Sequence, residues 1–115
     1  MKTRVDLIDE LKRNPGVIII KFGATWCKPC QFIDPVVTEF MESVASPTIR
    51  CHKVDIDDAF DLYAFLKSKK MVNGIPVLLA YYKDNLSYVP DDSITGTDAV
   101  AIRRFFMRSS ERAYA

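Results

Sequence analysis

The chain of 115 residues is poor in three things. Cysteine is scarce, with only Cys27, Cys30 and Cys51. A small secreted domain held by disulfides carries more of them, in an even number. Pairing two here leaves one thiol over, which suits a reducing compartment better. Net charge is nearly absent, at +1, so no global field draws the chain to nucleic acid or to an acidic membrane. Long apolar runs are missing as well. No apolar run, that at residues 17–20 included, is long enough to span a bilayer, and residues 1–6 hold no secretory signal. There is no repeat, low-complexity tract or linker, and no flavin or nucleotide motif. The expectation is one intracellular, cytoplasmic domain over residues 1–115, working without a cofactor and without nucleic-acid or membrane partners.

What is present suffices for a core. Hydrophobic residues make up 49% and charged residues 27%, which is ordinary for a folded domain. Val5, Leu7, Ile8 and Leu11 recur at helical spacing after a capping pair, Thr3 and Asp6. Asn14, Pro15 and Gly16 stop that helix. Residues 17–22 are β-branched and continuous, as in a central strand covered on both faces. A loop over 23–26 leads to a helix over 27–45, with Phe32, Ile33, Val36, Val37, Phe40, Met41 and Val44 on its apolar face. Pro35 falls inside that helix and is expected to kink it.

A strand is expected over 48–56, and a helix over 57–68 that Asp57 and Asp58 open. After a loop over 71–76 comes a strand over 77–82. Asp84 and Asn85 then mark a turn into a short strand over 86–89. A polar loop over 90–96 precedes a last helix over 98–110. The order predicts an α/β fold whose first two strands run parallel through a right-handed crossover and whose last two form a hairpin. The result is a mixed sheet with helices on both faces.

The chemistry concentrates in Trp26, Cys27, Lys28, Pro29 and Cys30, directly after the first strand. A thiolate, not a thiol, attacks a disulfide, and an ordinary pKa of about 8.5 leaves little thiolate at neutral pH. A helix N-terminus favours the anion through its unpaired N–H groups and dipole. Cys27 at that mouth is expected to be exposed and nucleophilic. Cys30, one turn deeper, is expected to be shielded and to resolve the mixed disulfide. Pro29 suits a first helical turn, Trp26 offers an apolar flank, and Lys28 adds positive charge. A CxxC pair can also be half of a zinc site, with Cys51 and His52 as further ligands. Those two are neighbours on an expected strand, so their side chains point to opposite faces.

On these residues the chain resembles the thioredoxin family. Its segment from Ala24 to Cys30 is similar to that family's WCGPC motif. Pro35 resembles the proline of the active-site helix. The run Lys53, Val54, Asp55, Ile56, Asp57 resembles the second-strand segment, Gly74, Ile75 and Pro76 resemble the cis-proline loop, and Gly96 resembles the glycine before the last helix. The resemblance spans about residues 4–110. It implies the thioredoxin fold and a dithiol–disulfide oxidoreductase acting on protein disulfides, with Cys27 attacking and Cys30 resolving. It also implies a cis Pro76, and a shallow docking face of Trp26, Gly74, Ile75, Pro76 and Gly96 where the Ile75 backbone pairs with an extended substrate. Electrons would come from a separate thioredoxin-reductase-like donor, and the protein is expected to act as a monomer.

Three departures stand out. Lys21 occupies the place of the family's buried aspartate. It can act as a base toward Cys30, favour thiolates by its charge, or merely reach the surface or pair with an acid such as Glu39 or Asp55. Lys28 replaces the usual glycine between the cysteines. Only residues 2–5 remain for a strand before the first helix, so that strand is expected to be short or absent, leaving four strands. Cys51 reads as a buried inert thiol. Asp55, Asp57, Asp58 and Asp61 read as a solvated helix start, and Arg103, Arg104, Arg108 and Arg112 as cations suited to a helix C-terminus. The competing functions are an adaptor that works by docking alone, and a glutathione-dependent enzyme, against which Trp26 argues.

Overall fold

The Lys2 and Thr3 N–H groups both donate to the Asp6 carboxylate, at 2.8 and 3.0 Å, and the Asp6 N–H donates back to Thr3 Oγ1 at 3.1 Å. This reciprocal cap starts α1, Arg4–Lys12. In the computed structural model, which describes residues 1–114, there follow β1 (Val17–Gly23), α2 (Lys28–Val44), β2 (Ile49–Asp55), α3 (Phe60–Ser68), β3 (Val77–Tyr82), β4 (Asp92–Thr95) and α4 (Ala99–Ala113). Ala115, the last residue of the expected domain, lies outside the described residues. The helix cap already occupies Thr3, so among the described residues no strand precedes α1.

The sheet has four strands in the order β2-β1-β3-β4, with β1 and β2 parallel and the other pairs antiparallel. Alternation along β1 explains its unbroken apolar run. Ile18, Ile20 and Phe22 face one layer, where Leu7 and Leu11 of α1 meet Leu62 and Leu66 of α3. Val17 and Ile19 face the other, against Ile33 and Val37 of α2 and Ile102 and Phe105 of α4. Lys21 continues this second row, which places it under the first turns of α2. β2 is an outer strand and carries the exposed charges of Arg50 and Lys53, which discourage pairing with a further strand.

Several expectations shift. Residues 86–89 form no strand. Asn85 Nδ2 donates to the Val89 carbonyl and to Asp91, folding this stretch into a loop. The outer strand is β4, within the expected polar loop. Its single inward apolar residue, Ile94, sits opposite Leu78, and its Asp92 is held by Arg108 of α4 at 2.7 Å. A strand with one core residue leaves little apolar alternation to read. α3 starts at Phe60 rather than at Asp57. Asp55 Oδ1 takes the Asp57 N–H at 2.8 Å, and the Asp55 carbonyl takes those of Asp58 and Ala59, so a turn fills the expected first helical positions. On α2 the apolar face is narrower than expected, with Phe32 76% exposed. Val5 of α1 is exposed as well.

Gly16 is where β1 meets its neighbours most closely. A Cβ there would stand 2.5 Å from the Thr48 carbonyl oxygen. That carbonyl accepts the Val17 N–H at 2.9 Å, while the Gly16 carbonyl accepts the Lys83 N–H at 2.8 Å, so neither side can withdraw freely. Gly16→Ala is expected to lower unfolding free energy by about 1–3 kcal/mol in urea titration. A variant within about 0.5 kcal/mol of the parent would contradict this close approach.

Candidate active site

β1 delivers the chain to a short loop, and the Cys27 N–H bonds back to the Ala24 carbonyl at 3.1 Å. Cys27 is the N-cap of α2, in extended conformation, and its Sγ accepts the Cys30 N–H at 3.2 Å. Sulfur thus takes the place that a serine or aspartate oxygen usually fills at a cap. Lys28 and Pro29 form the first helical positions, where the missing N–H of Pro29 breaks no helical bond. Cys27 and Cys30 are joined as a disulfide, with Cα atoms 5.2 Å apart.

Cys30 is shielded as expected, but the burial of Cys27 differs from expectation. Cys27 is only 6% exposed and Cys30 2%. In the disulfide form both cysteines are buried in one apolar cluster with Ala24, against which Ile56 and Ile75 pack. Cys27 is the more accessible of the two by a small margin.

The Ile75–Pro76 peptide is cis. Ile75 packs against the cluster of Ala24, Cys27 and Cys30, and the Gly96 N–H donates to the Pro76 carbonyl at 3.0 Å, joining two segments twenty residues apart in sequence. Gly74 and Gly96 have φ of +127° and +108°, a region that favours glycine. Trp26 is 64% exposed, and its Nε1 donates to Asp57 at 2.8 Å. Asp57, read from sequence as part of a helix start, instead fixes the indole. Lys28 stands exposed beside the pair.

Beside Cys30 an open cavity of about 540 Å³ is bordered by Lys21, Asp34, Lys53 and Asp55. The Lys21 side chain is 8% exposed and its Nζ lies 2.8 Å from Asp34 Oδ1. Its partner is therefore neither Glu39 nor Asp55, and it does not reach the surface. Lys53 Nζ approaches the same Asp34 oxygen at 3.1 Å and also bonds Thr38. The Lys21 hydrogen bond, with Lys53 helping, holds the Asp34 carboxyl below the usual carboxylate range. Sequence reasoning missed Asp34. The available signal was its position four residues after Cys30, on the same helix face, above a strand lysine in need of a counter-ion.

The remaining candidates divide between the faces of the sheet. Cys51 belongs to the layer of α2 and α4. His52 points the other way, to the buried Glu10 of α1, which also binds Arg50 at 2.8 Å. Cys51 and His52 therefore do not converge on the CxxC pair. Arg108 is engaged by Asp92, and the Arg112 guanidinium lies 5.1 Å from the centre of the Tyr82 ring.

A disulfide-forming pair at the mouth of a helix, met by a cis-proline loop on a mixed sheet, defines a dithiol–disulfide oxidoreductase. The thioredoxin family model matches residues 3–106, and the chain belongs to the thioredoxin family. It is 30% identical over 107 residues to a thioredoxin of Coprinus comatus, covering 93% of each chain. It is 27% identical over 81 residues to thioredoxin-2 of Saccharomyces cerevisiae, covering 70% of this chain and 72% of that one. Its fold superposes on the thioredoxin of Trichomonas vaginalis with a TM-score of 0.73 and 25% identity, over 92% of this chain and 90% of that one. For the thioredoxin of Malassezia sympodialis the TM-score is 0.74 at 20% identity, over 96% and 90% of the two chains. Among the described residues no helix is long and apolar enough to cross a membrane.

Burial pushes the Cys51 thiol up to about 11. At pH 8 it is therefore nearly all thiol, and only the thiolate is alkylated. In the oxidised protein, iodoacetamide at pH 8 is expected to modify Cys51 at least about tenfold more slowly than a free thiol of ordinary pKa, with the rate rising as pH approaches 11. Labelling at the rate of a free thiol would contradict this.

Proposed function

We propose that the protein reduces disulfides of protein substrates, with Cys27 attacking and Cys30 resolving. The hydrogen bond from the Cys30 N–H to Cys27 Sγ carries this reading. The same donor, with the helix dipole behind it, stabilises a thiolate at Cys27 once the pair is reduced. No equivalent donor to Cys30 Sγ is seen among the described residues. The slightly greater exposure of Cys27 supports the same assignment.

Trp26, Gly74, Ile75, Pro76 and Gly96 form the docking face in this reading. Three of them are tied to the cysteine cluster or to each other by the packing of Ile75 and the Gly96–Pro76 hydrogen bond. A substrate segment lies extended along Ile75, with the indole of Trp26 at its flank. Lys21 and Lys28 modulate the pair from below and beside it. The chain acts as one domain and as a monomer, in the cytoplasm, and a thioredoxin-reductase-like partner returns it to the dithiol form.

Reduction of insulin by dithiothreitol, followed by turbidity, tests the assignment. The protein is expected to accelerate it, Cys27→Ser to abolish the acceleration, and Cys30→Ser to accumulate a mixed disulfide through Cys27. An inactive parent protein whose Cys30→Ser form still holds partners without a disulfide would point instead to an adaptor.

A further inference from the structure

Four charged side chains border the cavity beside Cys30: Lys21 from β1, Asp34 from α2, and Lys53 and Asp55 from β2. Ile75 and Ile56, which pack against the cysteine cluster, bring no charge. Lys21 stands close to the deeper cysteine. A side-chain carbon placed on Gly23 would lie 3.5 Å from Cys30 Cβ and 3.5 Å from Lys21 Nζ. The ammonium and Cys30 Cβ are thus separated by no more than twice that distance.

The ammonium is also fixed in place. Lys21 and Lys53 are register partners on neighbouring strands, and like charges side by side repel. Asp34, one helical turn beyond Cys30, bonds Lys21 at 2.8 Å and Lys53 at 3.1 Å. One carboxylate clamps two ammonium groups, so this trio keeps one positive charge in excess. The remaining acid, Asp55, is turned to the Asp57 N–H at 2.8 Å. Asp34 is a poor proton acceptor, since two cations hold its carboxylate. Lys21 Nζ is already engaged by that carboxylate at 2.8 Å.

We infer that Lys21, clamped by Asp34, stabilises the thiolate of Cys30 by its charge, so that the resolving sulfur ionises without handing its proton to a neighbouring side chain. The inference rests on the redox reading above and supplies its second step. In the mixed disulfide, the Cys30 thiol gives its proton to water in the open cavity. The thiolate pair attacks Cys27 Sγ and forms the internal disulfide. The bond between Cys27 and the substrate sulfur breaks, its electron pair leaves on the substrate, and that sulfur takes a proton from solvent. Two electrons have then passed from the cysteine pair to the substrate. Lys21 acts here as a positioning charge and Asp34 as its anchor.

The test is a titration of Cys30 in reduced full-length protein carrying Cys27→Ser, read by carbon-13 NMR at the cysteine Cβ, which separates Cys30 from Cys51. Adding Lys21→Met is expected to raise the Cys30 pKa by about one pH unit or more. Adding Asp34→Asn, whose amide oxygen still accepts from Lys21 while the negative charge is gone, is expected to lower it or leave it in place. An unchanged value with Lys21→Met overturns the inference. A rise with Asp34→Asn overturns it too, because the carboxylate would then be promoting ionisation. Asp34 is half-exposed, so its variant remains informative even if Lys21→Met folds poorly. No substrate enters the titration. A protein that fails to reduce insulin yet shows the Lys21 effect sinks the reductase reading alone, and the converse result sinks this inference alone.

Discussion

The Cys30 N–H aimed at Cys27 Sγ is a helix-capping bond in which sulfur is the acceptor. A helix begins with N–H groups that have no partner within it, and the chain must supply acceptors for them. β1 ends beneath this point and the Ala24 carbonyl holds the Cys27 N–H, so the cap falls on a cysteine rather than on Thr25 two residues earlier. Local folding and reactivity thus share one interaction. The helix needs an acceptor, and the acceptor that satisfies it is the sulfur to which the proposed function assigns the negative charge during exchange. The arrangement of the sheet serves that end by bringing Ile75, from the approach to β3, against the cluster that holds both cysteines.

A second electrostatic arrangement lies beneath the first. β1 is buried along its whole length, and it nonetheless carries Lys21. A buried cation without a partner is costly, and the counter-ion comes from α2, the helix that carries both cysteines. Packing of α2 on β1 through Ile33 and Val37 therefore fixes the charge pair and the disulfide together. Any movement of α2 away from the sheet would strand Lys21 as well as open the site.

Much of this was legible in the sequence. The nearly continuous apolar runs over residues 17–22 and 77–82, the first of them β-branched, marked the two central strands, since each buries both faces. The Thr3 and Asp6 cap and the stop at Asn14, Pro15 and Gly16 bounded α1 because capping is local chemistry. The cysteine pair, Pro35, and the loop at Gly74, Ile75 and Pro76 pointed to the family by their order. Contacts between distant segments were not legible. β4 shows one inward apolar residue, so its pairing with β3 is decided by the partner strand. Asp57 looks like a helix-start acid until the indole of Trp26 is seen to reach it. Asp34 looks like a solvent-facing helix residue until strand β1 sets Lys21 beneath it. The coverage of Cys27 by Ile56 and Ile75 likewise comes from residues far along the chain.

The account depends on the outer sulfur being held as an anion at the start of α2, and direct titration of Cys27 tests this. In the reduced protein, thiolate absorbance or the NMR shift of the Cys27 Cβ is predicted to report a pKa clearly below the ordinary value of about 8.5. A Cys27 thiol that stays protonated to that value or beyond would contradict the account at its centre.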